Sequence, residues 1–295
     1  HDTSPAHPES PRRLSAIEDR FVETGLSDVL TYIDAPEVCR EHLLRVHTPR
    51  HVQTVESMAP SSGYAHLDPD TIMCPDSLTA ARRAAGAVTA AVDLVVSGKM
   101  SSAFCGVRPP GHHAESGRAM GFCLFNNIAV GAAHALQEHG MNRVAIVDFD
   151  VHHGNGTEEI FENEPRVLFC STYQHPFFPF TRQLEDAPNR ISIPLDATAK
   201  SPEFRAAVVD HWLPALQSFE PELVFVSAGF DAHVDDDMSN VSLTDADFRW
   251  VTEQIVDIAA KSASGRVISV LEGGYELNSL ARSTEQHVRI LMGLH

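Results

Sequence analysis

Short apolar runs punctuate the chain, most regularly in its C-terminal half. Arg143–Phe149, a short β-branched run, and Val167–Ser171, Leu223–Ser227 and Val267–Leu271 predict strands buried on both faces, and Ala103–Val107 reads as a further strand. Between them lie stretches of helical character. Ser77–Ser97 ends at Gly98 and Asn127–His139 ends at Gly140, where a helix C-cap favours glycine. Thr244 is placed to cap a helix running to about Ser262, with Asp247 at the capping-box position. Strands alternating with helices predict an α/β fold, with a mostly parallel sheet flanked by helices on both faces. No repeat, low-complexity tract or linker divides the chain, so residues 1–295 are read as one domain.

In such sheets ligands bind beyond the carboxyl ends of the strands. Here those ends are polar. Ala103–Val107 is followed by Arg108-Pro-Pro-Gly-His112-His113, and Arg143–Val147 by Asp148-Phe-Asp150-Val-His152-His153-Gly-Asn155. Leu223–Val226 leads into Ser227-Ala-Gly-Phe-Asp231-Ala-His233, and Val267–Leu271 into Glu272-Gly-Gly-Tyr275. Asp148, Asp150 and His152 alternate, so an extended chain points all three to one side. With Asp231 arriving from the next strand, one histidine and two carboxylates suit Zn²⁺ and leave a position open for water; Fe²⁺ or Co²⁺ fits the same donors. A His-His pair or one D-x-D-x-H-H alone is compatible with ordinary packing. Four strand ends carrying such groups in one chain are not.

Composition narrows the class. Lys+Arg number 22 and Asp+Glu 40, a balance of −18 that disfavours nucleic-acid phosphates and mainly serves solubility. No apolar run reaches the roughly 18 residues of a membrane helix, and Asp93 interrupts the longest one, Ala84–Val96. No signal-peptide pattern is visible in a sequence that starts at His1. The five cysteines show no C-x-x-C spacing, which argues against a disulfide framework or thiolate zinc site and fits a reducing cytoplasm.

The segments RPPGHHA, DFDVHHGNGT, SAGFDAH and LEGGY, with His7-Pro-Glu-Ser-Pro-Arg-Arg13 and Asp68-Pro-Asp70-Thr71, resemble the zinc-dependent histone deacetylase family. That family shares its fold with the arginases. NGT and LEGGY-x-L look closer to its class II branch and bacterial relatives. The resemblance spans almost the whole chain and implies an amidohydrolase in which activated water removes acetyl or another short acyl group from an amine. It assigns zinc to Asp150, His152 and Asp231, the general base to His113, and its electrostatic partner to His112, oriented by Asp148. Asn155 stands where many relatives carry an Asp, and an amide cannot stabilise imidazolium as a carboxylate does. Tyr275 matches the tyrosine that hydrogen-bonds the acyl carbonyl. Gly121, Phe122, Phe178, Met238 and Gly274 match substrate-tunnel positions, and Asp70 a carboxylate that holds the substrate backbone. Asp148, Asp150, His152, Ser171 and Thr172 match a family potassium site.

The implied substrate is an acyl-lysine peptide or protein. The alternative is an acetylpolyamine. Polyamine-specific eukaryotic relatives carry a Glu where Met238 stands, yet Asp235, Asp236 and Asp237 are placed to attract a polycation. Two readings are more remote. A binuclear manganese ureohydrolase needs acids where Gly154 and His233 stand. A non-catalytic binding module would have lost a ligand, the base or the tyrosine.

Overall fold

A computed structural model describes residues 1–4, 6–181 and 187–294. Six strands form one parallel sheet: β3 (Ser102–Cys105), β4 (Val144–Asp148), β5 (Val167–Gln174), β6 (Arg190–Leu195), β7 (Leu223–Ala228) and β8 (Val267–Leu271), in the order β3-β8-β7-β4-β5-β6. A two-residue antiparallel ladder joins β1 (Ala65–His66) to β2 (Ile72–Met73). All five runs expected to be strands are strands, with shifted ends in all but β8. β3 stops at Cys105, ahead of Pro109-Pro110, which offer no N–H to a ladder. β5 continues to Gln174 because it pairs with β6. The sequence pattern missed β6, since Arg-Ile-Ser-Ile-Pro-Leu is only partly apolar. Pro194 is tolerated there because β6 is an edge strand.

Strand alternation divides the interior into two cores. Val144, Ile146, Phe169, Leu223, Phe225 and Ile268 pack with residues of helices Pro49–Met58, Ser77–Val96 and Asn127–Glu138 on one face. Ala145, Val147, Leu168, Val224 and Val226 pack with Arg12–Glu23, Asp245–Ser262 and Leu277–Leu291 on the other. Each fully buried Val, Ile or Phe contributes roughly 1.5–3 kcal/mol by leaving water. The expected Asp245–Ser262 helix forms, and the Asp247 carboxylate accepts from the Thr244 N–H at 2.9 Å. Ala84–Val96 belongs to a buried helix, and no helix among the described residues is long and apolar enough to cross a membrane.

The order reverses between β4 and β7. From β4 the chain builds outward through β5 to β6; β7, β8 and β3 lie on the other side. Loops leaving β4 and β7 therefore diverge and open a crevice at their carboxyl ends, where such sheets bind ligands.

Candidate active site

Asp148 is the last residue of β4, and register pairing sets it beside Ser171 of β5 and Ser227 of β7. Beyond it the chain bends. Asp148 Oδ1 accepts the Asp150 N–H at 3.1 Å, and Asp150 Oδ1 accepts the His152 N–H at 2.8 Å. These side-chain-to-backbone bonds, rather than an extended strand, gather Asp148, Asp150 and His152 at the crevice. Asp231 comes from the loop after β7, and its Oδ1 accepts the Val151 N–H at 3.0 Å. His152 Nδ1 lies 3.1 Å from both Asp150 Oδ1 and Asp231 Oδ2.

The fit to a cation rests on the donor set and its surroundings. Asp150, His152 and Asp231 are buried, and one donor atom from each lies within 4.8 Å of the others. Two carboxylates held together away from water repel each other unless a cation compensates them. The backbone also comes close to both carboxylates: a Cβ on Gly273 would stand 2.2 Å from Asp231 Oδ2 and 2.6 Å from Asp150 Oδ2. The Gly273 N–H donates to Asp150 Oδ2 at 2.8 Å. These residues therefore fit a divalent metal with oxygen and nitrogen ligands.

The paired histidines come from the loop after β3. Glu272, directly after β8, accepts the N–H groups of Gly111 and His112 at 2.7 and 3.1 Å and pins that loop over the sheet. His112 Nδ1 meets Asp148 Oδ2 at 3.0 Å; His113 Nδ1 meets Asn155 Oδ1 at 2.8 Å. The two rings lie 4.0 Å apart but in different fields. Burial opposes charge on His112, yet Asp148, Asp150 and Glu272 outweigh it and hold its pKa up at about 10. Burial, then the charges of His112 and His152, push His113 well below the ordinary histidine range. The two shifts run in opposite directions, the separation expected of an electrostatic partner and a base.

Above these groups is a cavity of about 230 Å³, lined by Asp70, Gly121, Phe122, Phe178, Met238 and Tyr275 together with His112, His113 and His152. Gly121 and Phe122 both take positive φ, 55° and 68°, at the tip of a tight turn closed by Met120 and Cys123. Positive φ at a phenylalanine is strained, and the turn spends that strain presenting the ring to the cavity. Phe178 packs edge-on to His113 at 5.1 Å, and Phe122 edge-on to Tyr275 at 6.0 Å. Burial above all raises the Tyr275 pKa well above the ordinary phenol value, so its O–H remains a donor. Gly274, at φ 115°, offers its carbonyl to Arg13 Nε at 2.6 Å. Burial, then Asp68, raises the pKa of half-buried Asp70 to about 6. Ser171 and Thr172 are buried in β5 beside the β4 end.

Sequence reasoning gave no role to several of these neighbours. Glu272 stood in plain view after an apolar run. Phe177, stacked on His152 at 5.4 Å, adjoins the expected Phe178. Arg13 bonds the carbonyls of Glu272 and Gly274, hundreds of residues away, and nothing local signals this. Asp93, His134 and His139 form a second cluster, but its 2.7–2.8 Å spacings are hydrogen-bond lengths, and Arg45 approaches His134 Nδ1 at 3.3 Å. It is a hydrogen-bonded cluster at the surface, with Asp93 exposed.

The profile described as "Histone deacetylase domain" matches residues 7–291. The chain belongs to the histone deacetylase family. Human polyamine deacetylase HDAC10 is 38% identical over 97% of the chain, which spans only 44% of that relative. A histone deacetylase-like amidohydrolase of Pseudomonas aeruginosa is 37% identical over 91% of the chain and 71% of its own length. The solved HDA15 HD domain superposes with a TM-score of 0.93 at 34% identity, covering 100% of this chain and 85% of that one. The likeness to the HDA15 HD domain extends over the whole chain, the six-stranded parallel sheet included.

Proposed function

We propose that this deacetylase-family chain is a zinc-dependent amidohydrolase that removes acetyl or short acyl groups from the ε-amine of acyl-lysine in peptides or proteins. The observation that carries the reading is the His112–His113 pair, held by Asp148 and Asn155, beside the buried Asp150–His152–Asp231 group at the end of an apolar-walled cavity. Asp150, His152 and Asp231 would hold the zinc. When bound, zinc supplies Lewis acidity that polarises a carbonyl and lowers the pKa of water from about 16 towards 7.

This chain's own residues do the rest. Phe122 and Phe178 exclude water from the acyl-lysine stem, and Asp70 is placed to accept from the substrate backbone. His113, neutral, takes a proton at its unprotonated nitrogen and later delivers one to the leaving amine. His112, fixed by Asp148, keeps positive charge beside the developing oxyanion. Tyr275 donates its O–H to that oxygen. Acid and free amine leave. Potassium, if bound, would use Asp148, Asp150, His152, Ser171 and Thr172, which lie around the carboxyl end of β4.

The acetylpolyamine alternative is favoured by the name of the human relative, but local electrostatics oppose it. Asp235 is paired with Arg282 at 3.1 Å. Asp236 is buried, accepting the N–H groups of Met238, Tyr275 and Glu276. That leaves Asp237 of the acidic run, and Met238 is the member of this segment that lines the cavity. The binuclear reading loses its second-metal position, because His233 is turned towards Asp235 and Asp245 at 3.6 and 3.4 Å.

Chelator treatment is expected to abolish acetate release from an acetyl-lysine peptide, and about one equivalent of zinc to restore it. Full activity in thoroughly metal-stripped protein would refute the metal-dependent reading.

A further inference from the structure

Asn155 raises a problem that its neighbourhood answers. A carboxylate beside His113 Nδ1 can only accept, so it fixes the ring's proton there. An amide has two faces. Flipped, it would turn its NH₂ to Nδ1, require a lone pair there, and move the proton to Nε2. His113 would then have no free lone pair with which to act as a base.

Asn155 Nδ2 donates to Glu115 Oε1 at 2.9 Å while its Oδ1 faces His113 Nδ1 at 2.8 Å. Glu115 lies two residues beyond His113 and is itself paired with Arg118 at 2.9 Å. A carboxylate oxygen accepts, so the NH₂ faces Glu115 and the amide oxygen faces the ring. The other acceptors near Nδ2 are weak: His113 O at 3.5 Å and Met120 Sδ at 3.4 Å. The outer side of Asn155 borders a cleft of about 460 Å³ lined also by Glu115 and Arg118. Water there would accept or donate equally well and impose no direction.

We propose that Glu115 is a positioning residue that orients the Asn155 amide and, through it, fixes His113 as the Nδ1–H tautomer. The proposal deepens the proposed function, since the tautomer matters because His113 is its base. The negative charge that many relatives place directly on the histidine is here moved one group outward and relayed through an amide.

The test is Glu115→Gln, alone and combined with Asn155→Asp, on zinc-loaded protein. Glutamine keeps the size but presents either a donor or an acceptor to Asn155. Long-range ¹H–¹⁵N spectra of ¹⁵N-histidine-labelled protein read the His113 tautomer without substrate. Wild type is expected to hold the proton on Nδ1, and Glu115→Gln to populate the Nε2–H form. Loss of a charge-assisted bond should lower kcat roughly 10-fold with KM nearly unchanged. In the Asn155→Asp background, the Glu115→Gln loss and the tautomer mixture should both disappear, because a carboxylate needs no orienting. An unchanged tautomer in Glu115→Gln, or a loss that persists beside Asn155→Asp, overturns the proposal. A tautomer shift in a protein that hydrolyses no acyl-amine would support the Glu115 relay while removing the proposed function.

Discussion

Tyr275→Phe is expected to bind metal like wild type while kcat for an acetyl-lysine peptide falls about 10²–10³-fold, the usual cost of deleting one oxyanion donor. The substitution is specific because the loop does not depend on the hydroxyl. Its backbone is tied down by Asp236, whose Oδ2 accepts the Tyr275 and Glu276 N–H groups at 2.6 and 3.0 Å. The Arg13 guanidinium lies over the ring at 4.9 Å, and phenylalanine retains that face. Steady-state rates with parallel metal analysis decide the matter. A near-normal kcat would remove Tyr275 from the chemistry.

Asp150→Asn acts at the opposite point. Asp150 serves three partners at once: the His152 N–H, the Gly273 N–H and the shared donor group. An amide in its place removes one negative charge and turns an NH₂ towards one of these partners. Zinc affinity is expected to fall by about 100-fold or more, since even indirect contacts to a metal are worth 10–100-fold. At a fixed free zinc concentration, stabilisation by the metal should shrink by about 2.7 kcal/mol. Metal-free protein should not suffer correspondingly, because one of two repelling buried carboxylates has been neutralised. Chelator competition and thermal unfolding with and without zinc test both halves. Wild-type zinc retention by the variant would exclude Asp150 as a ligand.

What the sequence made legible follows a physical rule. Strands buried on both faces must be apolar throughout, so β4, β5, β7 and β8 announced themselves. The polar residues just after them then had to lie at the carboxyl edge. Asp148, Asp150, His152, Asp231, His112, His113 and Tyr275 meet there for that reason. The edge strand β6 is relieved of the requirement and was invisible. Contacts between distant segments were equally hidden. Periodicity says which face a residue occupies, not that Glu272 turns back to hold the His112 loop or that Arg13 reaches the carbonyls of Glu272 and Gly274. The acidic run at 235–237 misled in another way. Read as a line of surface charge, it contains Asp236, a buried acceptor of three backbone N–H groups. Charge counted along a chain cannot separate a solvated carboxylate from one consumed by the backbone.

The most direct test of the proposed function is kcat/KM for an acetyl-lysine peptide and for N-acetylputrescine, measured side by side on zinc-loaded protein. The cavity walls, Met238 and the engaged Asp235 and Asp236 predict that the peptide wins by about 100-fold, or about 2.7 kcal/mol in transition-state binding. Preference for the polyamine by that margin would contradict the acyl-lysine assignment and turn attention to Asp237. Release of acetate from neither would contradict the hydrolase itself.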